Sequence, residues 1–201
     1  MLDRFIAPLI NPAADQMARG LVRMGFKADH VTLAAFGLGL AAALCIAFEN
    51  YSAGAILIVL SRICDALDGA VARQTTPTDA GGYLDITLDF LFYASIPLAF
   101  AVAHPAANAL AAAVLLAAFI GTGSSFLAFA ALAAKRNMQS MHFAHKSLYF
   151  LGGLTEATET LVFFLAICLW PAHFAGLAYL FAGLCCVTIA TRIFSGWRSL
   201  R

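Results

Sequence analysis

Asp65, Asp68, Asp85 and Asp89 lie inside two stretches that are otherwise apolar enough to cross a bilayer. The run reads Asp65-Ala-Leu-Asp68-Gly69-Ala-Val-Ala72-Arg73, then seven residues, then Gly81-Gly-Tyr-Leu-Asp85-Ile-Thr-Leu-Asp89. A carboxylate in hydrocarbon is costly unless something neutralises it, so acids at that depth mark function. Four of them within 25 residues need cations, and metal ions are the obvious ones.

The rest of the chain supports a membrane setting. Of 201 residues, 62% are hydrophobic and 11% charged, against about 25% charged in a soluble domain. So little polar surface cannot cover a water-facing body, and the expected fold is an all-α polytopic membrane bundle. A net charge of +1 gives no sign of nucleic acid. Cys45, Cys64, Cys168, Cys185 and Cys186 are odd in number and sit in apolar runs, as small core residues do. The N-terminus lacks the short apolar core and cleavage site of a signal peptide.

A helix needs ~20 residues to cross the hydrocarbon. Six stretches qualify, 31–48, 53–74, 80–103, 107–134, 146–169 and 172–196, separated by Glu49-Asn-Tyr-Ser, His104-Pro105 and Trp170-Pro171 among other breaks. Before them, Asn11-Pro12 reads as an N-cap and first helical position, and Gly25 as a C-terminal stop. Ala13, Met17, Leu21 and Met24 recur at helical spacing, with Asp15, Arg19 and Arg23 on the other face, as in a helix lying at the interface. The expected organisation is an interfacial helix over 1–28 and a six-helix transmembrane domain over 29–201.

Lys and Arg fall on one side of this arrangement. Arg4, Arg19, Arg23 and Lys27 precede the spans, Arg73 follows the second, Lys135, Arg136 and Lys146 lie between the fourth and fifth, and Arg192, Arg198 and Arg201 end the chain. The alternate connections have none. The positive-inside rule therefore predicts cytoplasmic termini and a cytoplasmic Arg73 loop.

With that orientation, Asp68 and Asp85 lie ~6–8 Å from the cytoplasmic ends of their helices and Asp65 and Asp89 ~12 Å. The i,i+3 and i,i+4 spacings put each pair on one face. Carboxylate oxygens suit Mg²⁺ or Mn²⁺, and four acids support two metals sharing ligands, a geometry for in-line displacement at phosphorus. Gly69, Ala72, Gly81 and Gly82 leave room for a flat ligand, and Arg73 can bind phosphate through two nitrogens.

The pattern Asp-x2-Asp-Gly-x2-Ala-Arg-x7-Gly-x3-Asp-x3-Asp at residues 65–89 resembles the signature of the CDP-alcohol phosphatidyltransferases, with all eight positions matched. Six spans, the N-terminal helix and a polar start to the first span, Asp29-His-Val-Thr32, are similar to that family too. The resemblance implies transfer of a substituted phosphate from a CDP-alcohol, often CDP-diacylglycerol, to an alcohol acceptor, with release of CMP, in phospholipid biosynthesis. It implies that Asp65, Asp68 and Asp85 hold one Mg²⁺ or Mn²⁺, and that Asp65, Asp85 and Asp89 hold a second. Asp89 would also take the acceptor proton. Gly69, Ala72, Arg73 and Gly81 would contact the CDP part, with Thr78, Asp29 and Thr32 as further candidates. Family members are typically homodimers, and a bacterial inner membrane is the expected location. Phosphatidylglycerophosphate synthases usually have Pro after the third Asp and Lys after the fourth; Ile86 and Phe90 stand here, which weakens glycerol 3-phosphate as the acceptor.

Other polar residues admit two readings. Glu156 and Glu159, placed mid-span, and Arg62, one turn before Asp65, form either a buried structural pair or the wall of an acceptor pocket. His142, His145 and Lys146, beside Lys135 and Arg136, bind lipid headgroups or an acceptor phosphate, or set topology. A cation-coupled transporter is a rival, since intramembrane acids also line ion pathways, but it predicts acids spread through the membrane depth. A catalytically idle, lipid-binding or assembly member of the same fold is another.

Overall fold

A computed structural model describes residues 3–136 and 153–201. Every regular element among them is helical: α1 Asp3–Arg23, α2 Ala28–Ala47, α3 Tyr51–Gln74, α4 Asp79–Ala103, α5 Pro105–Lys135, α6 Ala157–Leu169 and α7 Phe174–Ser199, with a 3₁₀ turn at Pro171–His173.

Breaks fall where turn chemistry puts them. The Asn50 side chain accepts from the Ala53 N–H and opens α3; Thr78 does the same for Gly81 and opens α4. Pro105 sits in the first turn of α5, where its missing N–H costs nothing. Gly25, at φ 83°, closes α1: its N–H goes to the Val22 carbonyl and that of Phe26 to Leu21. This double bond pattern needs a left-handed residue just past the helix end.

One expectation about α1 is corrected. The helix does not begin at Asn11-Pro12; it runs through both from Asp3. Proline removes one ladder hydrogen bond, but its φ is already helical, and the helix continues past it. The side of α1 packed on the bundle runs through Ala14 and Ala18. Ala14 and Ala18 are buried against Val31, Leu67, Ala70 and Val71, with Leu21 and Val22 beside them. Small alanines let α1 lie close to α3, and Met17 and Met24 remain exposed.

The main core is an aromatic and aliphatic seam joining α2 to α7: Ile46, Ile58, Phe92, Ile96, Phe100, Leu115, Phe164, Ile167, Phe174 and Phe181. Phe100 stacks on Phe174 with centroids 4.6 Å apart, and Phe163 on Phe181 at 4.4 Å. Outside this seam the helices stay apolar. Leu40, Ile56, Leu98, Leu110, Ile120, Leu180 and Ile193 are all exposed. Apolar residues on both the inner and outer faces identify a bundle solvated by lipid. Four described helices are long and apolar enough to span: Ala28–Ala47, Asp79–Ala103, Pro105–Lys135 and Pro171–Ser199. The molecule is an integral membrane protein. Helix α3 has the length, but Arg62, Asp65, Asp68 and Arg73 lower its hydropathy.

The fifth predicted span is also corrected within the described residues. Glu156 and Glu159 are not mid-helix. Glu156 is the N-cap of α6, and its N–H bonds to Glu159 Oε2 at 3.2 Å. The preceding residues 153–155 are non-helical and pinned to α7, where Thr188 Oγ1 accepts the N–H groups of both Leu154 and Thr155 at 3.1 Å. Irregular backbone at this depth survives because protein groups satisfy it. His142, His145, Lys146 and the start of that span lie outside the described residues.

One packing relationship positions the site. Helix α2 lies against both α3 and α4, whereas α3 and α4 make little direct contact. The sequence expectation of two adjacent acid-bearing helices holds only through this shared backing. Ser61 Oγ donates to the Ala35 carbonyl at 2.8 Å, fixing α3 on α2. At Gly39 a Cβ would come 2.5 Å from Phe92 Cδ2 of α4, so α2 and α4 approach too closely for any side chain there.

Candidate active site

Helices α3 and α4, both packed on α2, bring their acids together. Asp65, Asp68 and Asp85 each offer one oxygen, and the three oxygens lie within 4.8 Å of one another. An ion bound at ~2.1 Å from each would draw opposite ligands to ~4.2 Å, so a small closure completes a shell. Asp68 is 6% exposed, and its Oδ2 is buried with no hydrogen-bond partner. A buried carboxylate oxygen left without a donor calls for a cation. The residues therefore fit Mg²⁺ or Mn²⁺, oxygen-seeking ions that keep open positions.

Asp89 is placed differently. Its Oδ1 accepts from Arg62 Nη1 at 2.6 Å, and the same nitrogen lies 3.3 Å from Asp65 Oδ1. Arg62 thus bonds within the acid set, where sequence reasoning considered a partner in Glu156. The guanidinium lies 4.0 Å over the Phe92 ring and donates through Nη2 to Ser61 Oγ. A gap of about 10 Å³ remains among Thr32, Arg62, Asp65, Asp85 and Asp89.

The remaining sequence candidates lie around the start of α2, the end of α3 and the start of α4. A Cβ on Gly81 would sit 3.0 Å from Asp29 Oδ1 and 3.2 Å from Thr78 Oγ1, so these three residues meet. Thr78 is engaged as the α4 cap. Thr32 is buried, its hydroxyl on the Ala28 carbonyl. Gly69 has only Arg73 Nη1 near its missing Cβ, at 3.5 Å, and Ala72 is half-buried one turn on. Arg73 itself is bonded to Asp15 of α1 at 3.0 Å.

Sequence reasoning missed one feature. A cavity of about 260 Å³ opens beside Asp89, walled by α4, α5, α6 and α7. Phe90, Tyr93, Phe119 and Phe126 line it together with Glu156 and Arg192. Arg192 had counted only as a charge marking the cytoplasmic side. In the fold it is 8% exposed, donates to the Thr122 carbonyl at 3.1 Å, and leaves Nε buried without a partner. The available signal was its place in an apolar stretch, several residues before Arg198.

A membrane-embedded helical bundle with an intramembrane acid cluster suited to a divalent ion defines a class of lipid-handling transferases. The chain belongs to the CDP-alcohol phosphatidyltransferase family, whose sequence profile matches residues 26–193. That places it among transferases of phospholipid biosynthesis. It is 52% identical over 201 residues to the inner membrane protein YnjF of Escherichia coli K12, covering 100% of this chain and 98% of that one. A shorter match, 41% over 95 residues and 45% of each chain, is to archaetidylinositol phosphate synthase of Methanothermobacter thermautotrophicus. The fold is similar to the crystal structure of Mycobacterium tuberculosis phosphatidylinositol phosphate synthase with CDP-DAG bound, at TM-score 0.73 and 23% identity over 92% of this chain and 93% of that one. The same synthase with manganese and citrate gives TM-score 0.71, again at 23% identity, over 92% and 88%.

Proposed function

We propose that this protein transfers a phosphatidyl group, or a similar substituted phosphate, from a CDP-alcohol such as CDP-diacylglycerol to a hydroxyl acceptor, releasing CMP. The observation that carries the reading is the convergence of Asp65, Asp68 and Asp85 oxygens within 4.8 Å of one another, with Asp68 Oδ2 buried and without a hydrogen-bond partner. Family membership supports it.

In this reading the three aspartates hold Mg²⁺ or Mn²⁺. When bound, the ion supplies charge neutralisation at the donor phosphates, which otherwise repel a nucleophile. The chain's own groups do the rest. Arg73, with Gly69, Ala72 and Gly81 leaving the backbone accessible, receives the CDP portion at the helix ends; Asp29, Thr32 and Thr78 line the same mouth. The acceptor occupies the cavity beside Asp89, where Arg192 and Glu156 supply charge and the phenylalanines exclude water. Its hydroxyl oxygen forms the new bond to the phosphorus that carries the alcohol, the bond from that phosphorus to CMP breaks, and CMP leaves with the electron pair. Asp89 takes the hydroxyl proton. By family resemblance a second ion would bridge Asp65, Asp85 and Asp89, and the enzyme would be a homodimer.

The same reading puts six spans in the membrane, with α3 and α6 joining the four long apolar helices. Both termini and the acid cluster face the cytoplasm, as the Lys and Arg distribution requires. Helix α1 lies at the interface with Met17, Met24 and Phe26 toward lipid. The acids gather at one depth rather than along a path, which disfavours a transporter.

Purified protein in lipid nanodiscs with Mn²⁺ or Mg²⁺, labelled CDP-diacylglycerol and a panel of alcohols tests the proposal. CMP release coupled to a new phospholipid, identified by mass, is the expected result. No CMP with any acceptor, at any divalent ion concentration, would favour the idle lipid-binding member instead.

A further inference from the structure

We propose, resting on the transferase reading above, that the acceptor is a polyhydroxy alcohol that carries no phosphate: the cavity beside Asp89 takes a free polyol and discriminates against the polyol phosphate. The cavity measures about 260 Å³. At ~30 Å³ per water that is room for about nine waters, the size of a small polyol.

Charge favours a neutral occupant. Asp89, Glu156 and Arg192 are the charged side chains among the described residues that line the cavity, so its wall carries two carboxylates against one guanidinium. Arg192 does not offer its charge freely. It attracts Glu156 electrostatically, and the two side chains meet at Gly153. The Gly153 N–H donates to Glu156 Oε1 at 3.0 Å, and a Cβ on Gly153 would stand 3.1 Å from Arg192 Nη2. Ile86, Phe90, Phe119 and Phe126 add hydrocarbon to the wall and no second cation. A phosphate monoester would bring its charge against carboxylates of like sign where water is excluded, which is strongly unfavourable.

Hydrogen-bonding capacity points the same way. The Thr122 hydroxyl donates to the Phe119 carbonyl at 2.9 Å and the Thr160 hydroxyl to the Glu156 carbonyl at 2.8 Å. What these two lining residues have left is lone pairs. With the carboxylates of Glu156 and Asp89 they make a wall rich in acceptors. A doubly ionised phosphate can only accept, whereas a polyol brings one O–H donor per hydroxyl. Arg192 is 8% exposed, spends Nη1 on the Thr122 carbonyl and keeps Nε buried without a partner. One such N–H suits a single hydroxyl oxygen. Strong phosphate recognition by arginine takes two parallel N–H bonds.

The test is competition between matched acceptors on full-length protein in nanodiscs with Mn²⁺ and CDP-diacylglycerol. The pairs are glycerol with glycerol 3-phosphate and myo-inositol with myo-inositol 1-phosphate; serine is the charged acceptor without phosphate. CMP release gives kcat/KM, and mass spectrometry identifies the lipid. In at least one pair the free polyol should exceed its phosphate about tenfold or more in kcat/KM. Glu156→Gln keeps an oxygen for the Gly153 N–H and removes one like charge, so it should move that ratio about tenfold toward the phosphate. Preference for the phosphate in wild type, or turnover with serine alone, overturns the inference and leaves the transferase reading standing. A Glu156→Gln protein that folds with an unchanged ratio also overturns it. No CMP from any acceptor removes both. Should Glu156→Gln fail to fold, the wild-type pairs still decide.

Discussion

The Arg73 guanidinium reaches 3.0 Å to Asp15, so the helix bearing Asp65 and Asp68 is tied at its end to the N-terminal helix. Gln74 adds a bond from its side-chain amide to the Asp15 carbonyl at 2.8 Å. Both partners of the ion pair are nearly half exposed, and such pairs are worth ~1 kcal/mol or less. Asp15→Ala should therefore leave the melting temperature almost unchanged. Arg73→Ala should raise KM for the CDP-alcohol about tenfold or more by removing a charge-assisted phosphate contact. Thermal melts and initial rates of CMP release on the two variants separate the roles.

Asp89→Asn should preserve the fold and lower CMP release by ~10²–10⁴-fold, the usual range for losing a general base. Asp65→Asn should lose both Mn²⁺ binding and turnover, because Asp65 belongs to the converging triad. Circular dichroism, metal content and single-turnover rates check the pair. Substantial turnover in Asp89→Asn would remove that residue as the base.

Mn²⁺ should stabilise the folded state. A ligand at about 100 times its Kd contributes ~2.7 kcal/mol when only the native state binds it. Chelator should lower the melting temperature of wild type, and Mn²⁺ should restore it. Asp68→Asn, which replaces a buried oxygen that has no donor, should melt at the same temperature with and without Mn²⁺.

Gly39→Ala should destabilise by ~1–3 kcal/mol, the cost of overpacking a close helix contact. The new Cβ would fall 2.5 Å from Phe92 Cδ2, and Phe92 is 1% exposed with nowhere to turn. Unfolding in denaturing detergent measures it. Gly37→Ala, with nothing within 4 Å, serves as the neutral control on the same helix.

Thr188→Val should cost ~1–3 kcal/mol for each buried donor it orphans. Thr188 Oγ1 accepts two N–H groups from the segment entering α6. Because Thr155 and Glu156 of that segment line the cavity beside Asp89, the acceptor KM should rise more than the donor KM. A uniform fall in kcat with both KM values unchanged would contradict this.

Much of the site was legible because its parts are local. Asp65, Asp68 and Gly69 share one helix turn, Asp85 and Asp89 another, and i,i+3 and i,i+4 spacing fixes their faces without tertiary knowledge. Gly25 was readable for the same reason, since a helix stop is made by neighbours; the capping role of Thr78, named only as a CDP contact, was not seen. The partner of Arg62 was not, because depth along a helix leaves the rotation and lateral position of its neighbours undetermined. The break before α6 was hidden because the acceptor for its amides, Thr188, lies more than 30 residues away in the chain. Arg192 was misjudged because a charge near a chain end reads as a topology marker until its burial is seen.

Helices α3 and α4 meet α2 rather than each other, so the distance between the two halves of the acid set is dictated from behind. Ala35, Gly39 and Ser61 carry no chemistry, yet they are the hinge pins of the reactive pair. Changes there would widen or narrow the mouth by fractions of an ångström while leaving every carboxylate in place. Retuning such an enzyme for a bulkier or slimmer substrate does not require touching its reactive groups; the adjustment screw is on the far side of the second helix.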